Sequence, residues 1–359
     1  MRTRLGDAAA MSTSSPQSSD DPLPDEEPPA THARQLACLQ ELAESALAHY
    51  DLGAVARPVL VNLSENATYR LEDFRSGRCY ALRVHRDGYH SLNAIRSELA
   101  WMQALRTEGV VTTPVPLPGR NGDLIQQVYH PALPRPRNVV LFDWEAGEEP
   151  SATERLNEMF EVLGELAARM HLHSERWRRP AGFERHTWDF DTSLGERPHW
   201  GGWRDGMGLD RKTERALGRA VELIRRRLEH FGQASARFGL IHSDMRLANL
   251  LLDDQGVKVI DFDDCGFSWH LYDAAAAVSF FEHEPHVPEL LVHWAAGYRR
   301  VRALSAEDEA EIPTFVLMRR LLLVAWIGSH AETDLAQSMG VAYTEKTVPM
   351  CEEYLARFG

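Results

Sequence analysis

Lysine is almost missing from this chain. Of 39 basic side chains only Lys212, Lys258 and Lys346 are lysines, and none lies before position 212. Any cation that the N-terminal half brings to an anionic ligand must therefore be arginine or histidine. Cysteine is sparse as well: Cys38, Cys79, Cys265 and Cys351 are scattered, without a CxxC pair. That spacing argues against a disulfide framework or a zinc motif and fits a reducing, cytoplasmic setting. No uninterrupted apolar run is long enough to cross a membrane, and no basic-then-apolar N-terminus reads as a signal peptide, so no membrane partner is expected. A basic surface is lacking too. The formal charge of −14 argues against generic nucleic-acid binding.

What is present describes a globular protein. At 359 residues, with 44% apolar and 26% charged side chains, the chain has room for two lobes of ordinary size. Residues 1–33 hold six acids and two arginines, and so contribute −4 of the net charge. They are rich in Ser and Pro and poor in large apolar residues; such a segment cannot offset chain entropy and is expected to be disordered. From about Gln35 a short helix leads into the β-rich stretches "RPVLVNLSENATYRLED" and "GRCYALRVHR", separated by the turn "FRSG". Leu92, Ile95, Leu99, Met102 and Leu105 stand at helical spacing up to Gly109. "PVPLPGRNGDLIQQVYH" and "RNVVLFDWEAG" supply two or three further strands. After "EAGEEP" the pattern turns helical: Leu156, Met159, Leu163, Leu166 and Met170 share a face, and helices are predicted near 213–231, 271–283, 287–303, 305–328 and 345–357. The expected division is a tail over 1–33, a β-rich lobe over 34–140, a link over 141–147 and a helical lobe over 148–359. Nothing in the sequence specifies an oligomeric state.

Inside the helical half lies "GLIHSDMRLANLLLDDQGVKVIDFDD", a His, an Asn and a cluster of carboxylates around two short apolar runs. The predicted hairpin is Leu250–Leu252, a turn at "DDQG", and Val257–Ile260. It returns Asp261 close to Asn249. Hard oxygen ligands on adjacent segments suit Mg²⁺, which takes one or two protein ligands and completes its shell with phosphate oxygens and water. Asp244, just upstream, is then placed to accept a hydroxyl proton. The competing reading is a solvated hairpin with acid-rich turns.

The spacing HxDxxxxN followed by "VIDFDD" resembles the catalytic loop and metal-binding Asp of kinase-fold phosphotransferases. In particular it resembles the aminoglycoside phosphotransferase and choline kinase superfamily, including its homoserine-kinase-like and stress-response-kinase-like branches. The resemblance spans roughly residues 50–330. It implies an α+β, bilobal protein-kinase-like fold, with a small β-rich N-lobe and a larger helical C-lobe joined by a hinge. It also implies ATP and Mg²⁺ as cofactors and a small-molecule hydroxyl acceptor, namely an amino alcohol, hydroxy amino acid, sugar or aminoglycoside. Residue by residue, Asp244 becomes the base, His242 its support, and Asn249 and Asp261 the Mg²⁺ ligands. Asp263 is a further metal candidate, and Asp264 is structural.

Phosphoryl transfer also needs a cation on the triphosphate, normally a strand lysine paired to a helix carboxylate. Here "CYALRVHR" offers Arg83, with Ala81 two residues before it on the same face, and the following helix offers Glu98. The alternative is a surface arginine in an Arg-rich protein. "LSENATYR" stands where kinases carry a glycine-rich loop. It has no glycine, so Ser64 and Asn66 are expected to cover phosphates through backbone N–H groups. "VVLFDWEAG" resembles the hinge, with adenine contacts near Phe142 and Trp144. Trp188, Asp189, Trp200 and Trp203 lie in an aromatic loop that either receives the acceptor or anchors itself to the lobe. His171 and His173 do not share a helix face, and solvated or capping roles are expected. Two rival functions remain: a stress-response-type protein Ser/Thr kinase, which the short stretch after "DFDD" disfavours, and a nucleotide-binding pseudokinase, which the missing lysine favours.

Overall fold

The computed structural model describes residues 29–63, 66–151, 153–331 and 333–359. Most of the acidic tail, residues 1–28, lies outside them, as does Ser64. The first helix, α1 (Pro29–Ala46), begins before Gln35 and takes in the end of the segment expected to be disordered.

Five longer strands build the N-terminal sheet. They are β1 (Val59–Leu63), β2 (Ala67–Glu72), β3 (Cys79–Val84) and, after α2 (Leu92–Thr107) and the short β4 (Pro116–Leu117), β5 (Ile125–Val128) and β6 (Arg137–Asp143). The order is β1-β2-β3-β6-β4, with β5 also on β6, and the pairings are antiparallel. Strand alternation separates two environments. Tyr69, Leu71, Tyr80, Leu82, Val84, Val139 and Leu141 pack with Leu42, Ala43 and Ala46 of α1 into one core. On the opposite face, Val59, Arg70, Ala81 and Phe142 follow one another across four strands in register. Val59 at the sheet edge is 61% exposed, whereas Phe142 at the other end of the row is buried. Ser91 starts α2 by accepting the N–H of Ala94.

The remainder is mainly helical. It comprises α3 (Leu156–Arg176), α4 (Phe190–Ser193), α5 (Arg211–Phe231), α6 (Tyr272–Ala277), α7 (Val287–Arg299), α8 (Ala306–Ala310), α9 (Ile312–Ser329) and α10 (Asp334–Phe358). Strands β7 (Phe238–Ile241) and β10 (Gly266–Trp269) pair, as do β8 (Leu250–Asp253) and β9 (Gly256–Val259). The latter is the expected hairpin. Asp210 caps α5 at the N–H groups of Lys212 and Thr213, and Leu217, Ala220, Ile224, Leu228 and Phe231 bury one face of it. Helix α6 stops at Ala277, well short of 283, and α10 starts at Asp334 with a kink at Gly340 (φ 46°), where the apolar pattern put a helix only from 345. The stretch Ala306–Ser329 is long and apolar enough to cross a membrane, but 83% of its most apolar 18-residue window is buried inside this fold; α9, which makes up most of it, is a buried core helix.

Helices α3 and α7 meet at two glycines. A Cβ on Gly297 would run into the carbonyl of Glu161, and one on Gly164 into the carbonyl of Trp294. Backbone cannot yield as a side chain can, so Gly297→Ala is expected to cost about 2–3 kcal/mol by overpacking, read as a lower midpoint in denaturant at an unchanged slope.

Candidate active site

The segment between β7 and β8 is held from beneath by one buried carboxylate. Asp273 in α6 accepts the backbone N–H of Ser243 at 2.8 Å and of His242 at 3.3 Å. Its Oδ2 also takes His171 Nε2 at 2.9 Å, and His171 Nδ1 meets Tyr298 Oη at 3.0 Å. Asp273 therefore does not cap α6, whose N-terminus has no side-chain cap. Nor are His171 and His173 solvated: both are fully buried. Burial drives the His171 pKa well down, followed by the charge of Arg302, so the neutral ring donates to Asp273 and accepts from Tyr298. Sequence reasoning missed this pairing because its partners stand 102 positions apart.

With its floor fixed, the loop presents the predicted residues. His242 is buried; Asp244 N–H reaches its Nδ1 at 3.3 Å, and its Nε2 reaches the carbonyl of Ile260 at 3.1 Å. Burial lowers its pKa, which fits a neutral ring joining the loop before β8 to the residue that follows β9. Ser243 and Asp261 both adopt left-handed backbone, φ 69° and 59°, a strain that marks segments held for their side-chain direction. Asn249 Nδ2 donates to Asp244 Oδ2 at 2.7 Å and to the Asp244 carbonyl at 2.8 Å. Arg246 Nε reaches the same Oδ2 at 3.2 Å, and Arg319 Nη2 in α9 reaches Oδ1 at 2.7 Å. Burial works to raise the Asp244 pKa, but Arg246 and then Arg319 outweigh it, so the group stays below the usual carboxylate value. Arg319 was not anticipated from sequence.

Asp261 differs. Its side chain opens onto the cleft, and no described side chain donates a hydrogen bond to it. The enclosing walls and then the Asp263 carboxylate push its pKa up to about 7. Asn249 Oδ1 likewise has no donor among the described residues, and Asn249 and Ile260 are joined by a backbone bond of 2.9 Å. Two hard oxygens flanking the hairpin, one just before β8 and one just after β9, fit a divalent cation with a mostly non-protein shell. Among the described residues no three His, Cys, Asp or Glu side chains form a closed metal cage.

Above the hairpin, Arg83 Nη2 pairs with Glu98 Oε1 at 2.6 Å, both side chains buried, and its guanidinium stacks 5.1 Å from the Phe142 ring. Asp263 lies among this group: Arg83 Nη1 is 3.9 Å, His85 Nδ1 3.8 Å and His90 Nε2 3.7 Å from its carboxylate. Burial opposes its charge, but His90, Arg83 and His85 hold its pKa well below the usual range. Arg83 Nε, Glu98 Oε2, Asp263 Oδ1 and both nitrogens of His85 are buried without a hydrogen-bond partner among the described residues, as expected around a place that takes a polar ligand. Arg83→Met leaves Glu98 as an unpaired buried charge and is expected to cost about 3–5 kcal/mol of stability, measured by equilibrium denaturation.

The remaining predicted residues divide. Asn66 is buried, and its Oδ1 accepts the N–H of Arg86 at 3.0 Å, so it ties the turn to the end of β3. At the expected hinge, the N–H groups of Asp143 and Trp144 are already bonded to Val115 and Cys79 carbonyls; a base edge would find free donors only further along. Trp144 is half-exposed, with the Arg70 guanidinium 5.4 Å from its ring. Asp189 caps α4 in a capping box. Trp188 donates to the Asp264 carbonyl at 2.9 Å, and Trp203 is packed near Gly218 of α5. All three serve to anchor the loop. Trp200 alone of the four lines a cleft cavity of about 230 Å³, with Arg86, Tyr89, His199 and His330. Its Nε1 donates to Tyr89 Oη at 3.0 Å, and that hydroxyl donates to Asp264 Oδ1 at 2.5 Å.

Comparison with known proteins gives the family and the fold. The model of a family described as the phosphotransferase enzyme family matches residues 55–307. A solved structure of a microcompartment-associated aminopropanol kinase is 43% identical, with a TM-score of 0.81, over 92% of this chain and 98% of that one. The amicoumacin kinase of Bacillus subtilis (strain 168) is 22% identical over 288 residues, 76% of this chain and 80% of its own. A structure of an amicoumacin kinase in complex with AMP-PNP, Ca²⁺ and Ami shares the fold, with a TM-score of 0.73 at 18% identity over 91% of this chain and 96% of that one.

Proposed function

From the premise that this chain belongs to the phosphotransferase enzyme family, and is a small-molecule phosphotransferase acting on a hydroxyl group, we propose that its donor is ATP with Mg²⁺ and its acceptor a small amino alcohol. The observation that carries the donor half is the grouping of Asp244, Asn249 and Asp261 on one loop and hairpin, with the buried Arg83–Glu98 pair as the neighbouring cation. For the acceptor half, support comes from the aminopropanol kinase at 43% identity and from the cavity beside Trp200. At about 230 Å³ it is smaller than the usual drug-sized site; Asp87 in its lining would face an ammonium group, with Asp264 hydrogen-bonded behind its Tyr89 wall.

Bound together, ATP and its cation supply the transferable phosphoryl group and screen its charge. Asn249 and Asp261 would hold the cation through their oxygens, with Asp263 turned instead to Arg83, His85 and His90. Asp244 would orient the acceptor hydroxyl and take its proton as the new O–P bond forms and the bond to the ADP oxygen breaks. Arg83 would meet the phosphate oxygens with the guanidinium face not used by Glu98, giving the charge that a lysine supplies in related enzymes. The apolar row Val59, Ala81 and Phe142 would cover the base. A panel of hydroxyl compounds, assayed by ADP release with Mg²⁺, tests this: aminopropanol and ethanolamine are expected to exceed sugars and aminoglycosides in kcat/KM by more than about tenfold, as one lost charged contact is worth. A preference for sugars or aminoglycosides overturns the acceptor class; ATP binding without any turnover overturns the donor half.

A further inference from the structure

Helix α9 is apolar and buried along nearly its whole length, yet it carries Arg319 and Arg320 side by side. A buried guanidinium is costly unless its donors are matched. The two arginines find their partners in different places. Arg320 pairs with the fully buried Glu282 at 2.8 Å and donates to Thr347 Oγ1 and the Tyr343 carbonyl, each at 2.7 Å. That set fastens α9 to α10 and to the segment after α6. Arg319 instead spends its donors at the cleft. Nη2 meets Asp244 Oδ1 at 2.7 Å, Nη1 meets Tyr272 Oη at 3.1 Å, and Nε meets Ser279 Oγ at 3.1 Å. Its guanidinium carbon is 5.2 Å from the Trp200 ring and 5.6 Å from that of Tyr272.

This arrangement ties two parts of the reaction together. Asp244 Oδ2 is held by Asn249 and Arg246, both from its own segment. Among the described residues Oδ1 has only Arg319, which comes from a distant helix and stacks on the Trp200 wall of the acceptor cavity. Remove it, and the carboxylate keeps its anchors at Oδ2 but loses the one that fixes Oδ1. We propose that Arg319 is a positioning residue for phosphoryl transfer, fixing the Asp244 carboxylate relative to the Trp200 wall so that the acceptor hydroxyl meets it in one orientation. The proposal rests on the reading of Asp244 as the group that takes the hydroxyl proton.

The test is a double-mutant cycle between Arg319 and Asp244, read in kcat and in the KM for each substrate. Arg319→Ala and Arg319→Lys are expected to lower kcat by about 10²-fold, the cost of a misplaced reacting group, with the KM for ATP almost unchanged. In an Asp244→Asn background the Arg319 substitution is expected to cost nothing further, since it acts through that carboxylate. Free guanidinium at millimolar concentration restores part of the kcat of Arg319→Ala but not the stability lost in Arg320→Ala. Arg319→Lys keeps the buried charge and reads the effect if the alanine variant fails to fold. Wild-type kcat in Arg319→Lys, or losses that multiply in the double variant, overturns the positioning role. Undiminished turnover in Asp244→Asn would instead overturn the underlying assignment of the base, so the two failures are distinguishable.

Discussion

Asp244→Asn is expected to reduce kcat by about 10³- to 10⁴-fold, the upper range for loss of a general base. The substitution is nearly isosteric. It keeps an oxygen for Arg319 or Arg246 but removes the negative charge that both guanidinium groups face at 2.7 and 3.2 Å. Two consequences follow and must be measured apart. The proton acceptor is lost, which appears in kcat. A buried cation is also left under-compensated, since Arg319 is only 2% exposed, and the fold should lose about 2–3 kcal/mol. That loss shows in denaturant midpoints and leaves the variant folded at 25 °C. Because Arg83 and Glu98 are bonded to each other and not to Asp244, nucleotide affinity should change little. A kcat loss with an unchanged KM for ATP is thus the signature of a group that acts in the transition state.

Asp261→Asn is the second large effect, and its activity and stability should move in opposite directions. As a carboxylate open to the cleft, Asp261 is the stronger of the two proposed cation ligands. Its neutral replacement is expected to lower kcat/KM by about 10³-fold, or about 4 kcal/mol, and to shift the activating Mg²⁺ concentration upward. Without the cation, enclosure and the neighbouring Asp263 charge raise its pKa to about 7. An acid whose folded pKa exceeds its unfolded one opposes folding when ionised. The penalty is absent below the unfolded pKa, near the ordinary carboxylate value of about 4. It grows as pH rises towards 7 and is complete above it. The Asn variant should therefore be as stable as wild type in acid and more stable above pH 7, in metal-free buffer. The same shift makes cation binding weaken as pH falls through about 7, because the protonated carboxyl is no ligand.

Local geometry was readable in the sequence; distant partners were not. The hairpin that brings Asp261 back to Asn249 follows from a short turn between two apolar runs. Strand alternation put Ala81 and Arg83 on one face, and the next helix offered Glu98 as partner; the two side chains meet at 2.6 Å. By contrast, Asp273 with His171, and Asp244 with Arg319, join positions 102 and 75 apart, and no periodicity links them. A signal did exist for Arg319: two adjacent arginines inside a long apolar helix must each have a buried partner. The aromatic loop left two readings open for a different reason. Tryptophans are as good at closing a core as at holding a ligand; Trp188, Trp200 and Trp203 are all buried, and only a place in the cavity lining singles out Trp200. Asp189 carried a cap that its spacing to Thr192 already encoded. Composition alone set the expected end of the tail at residue 33, whereas α1 begins at Pro29.

The most direct test of the central claim is phosphorus NMR of the chain incubated with ATP, Mg²⁺ and aminopropanol. The expected result is a new phosphate monoester resonance that grows in step with ADP, is absent without Mg²⁺, and all but vanishes in Asp244→Asn. Release of inorganic phosphate alone, or an equal yield of the ester from Asp244→Asn, would contradict it.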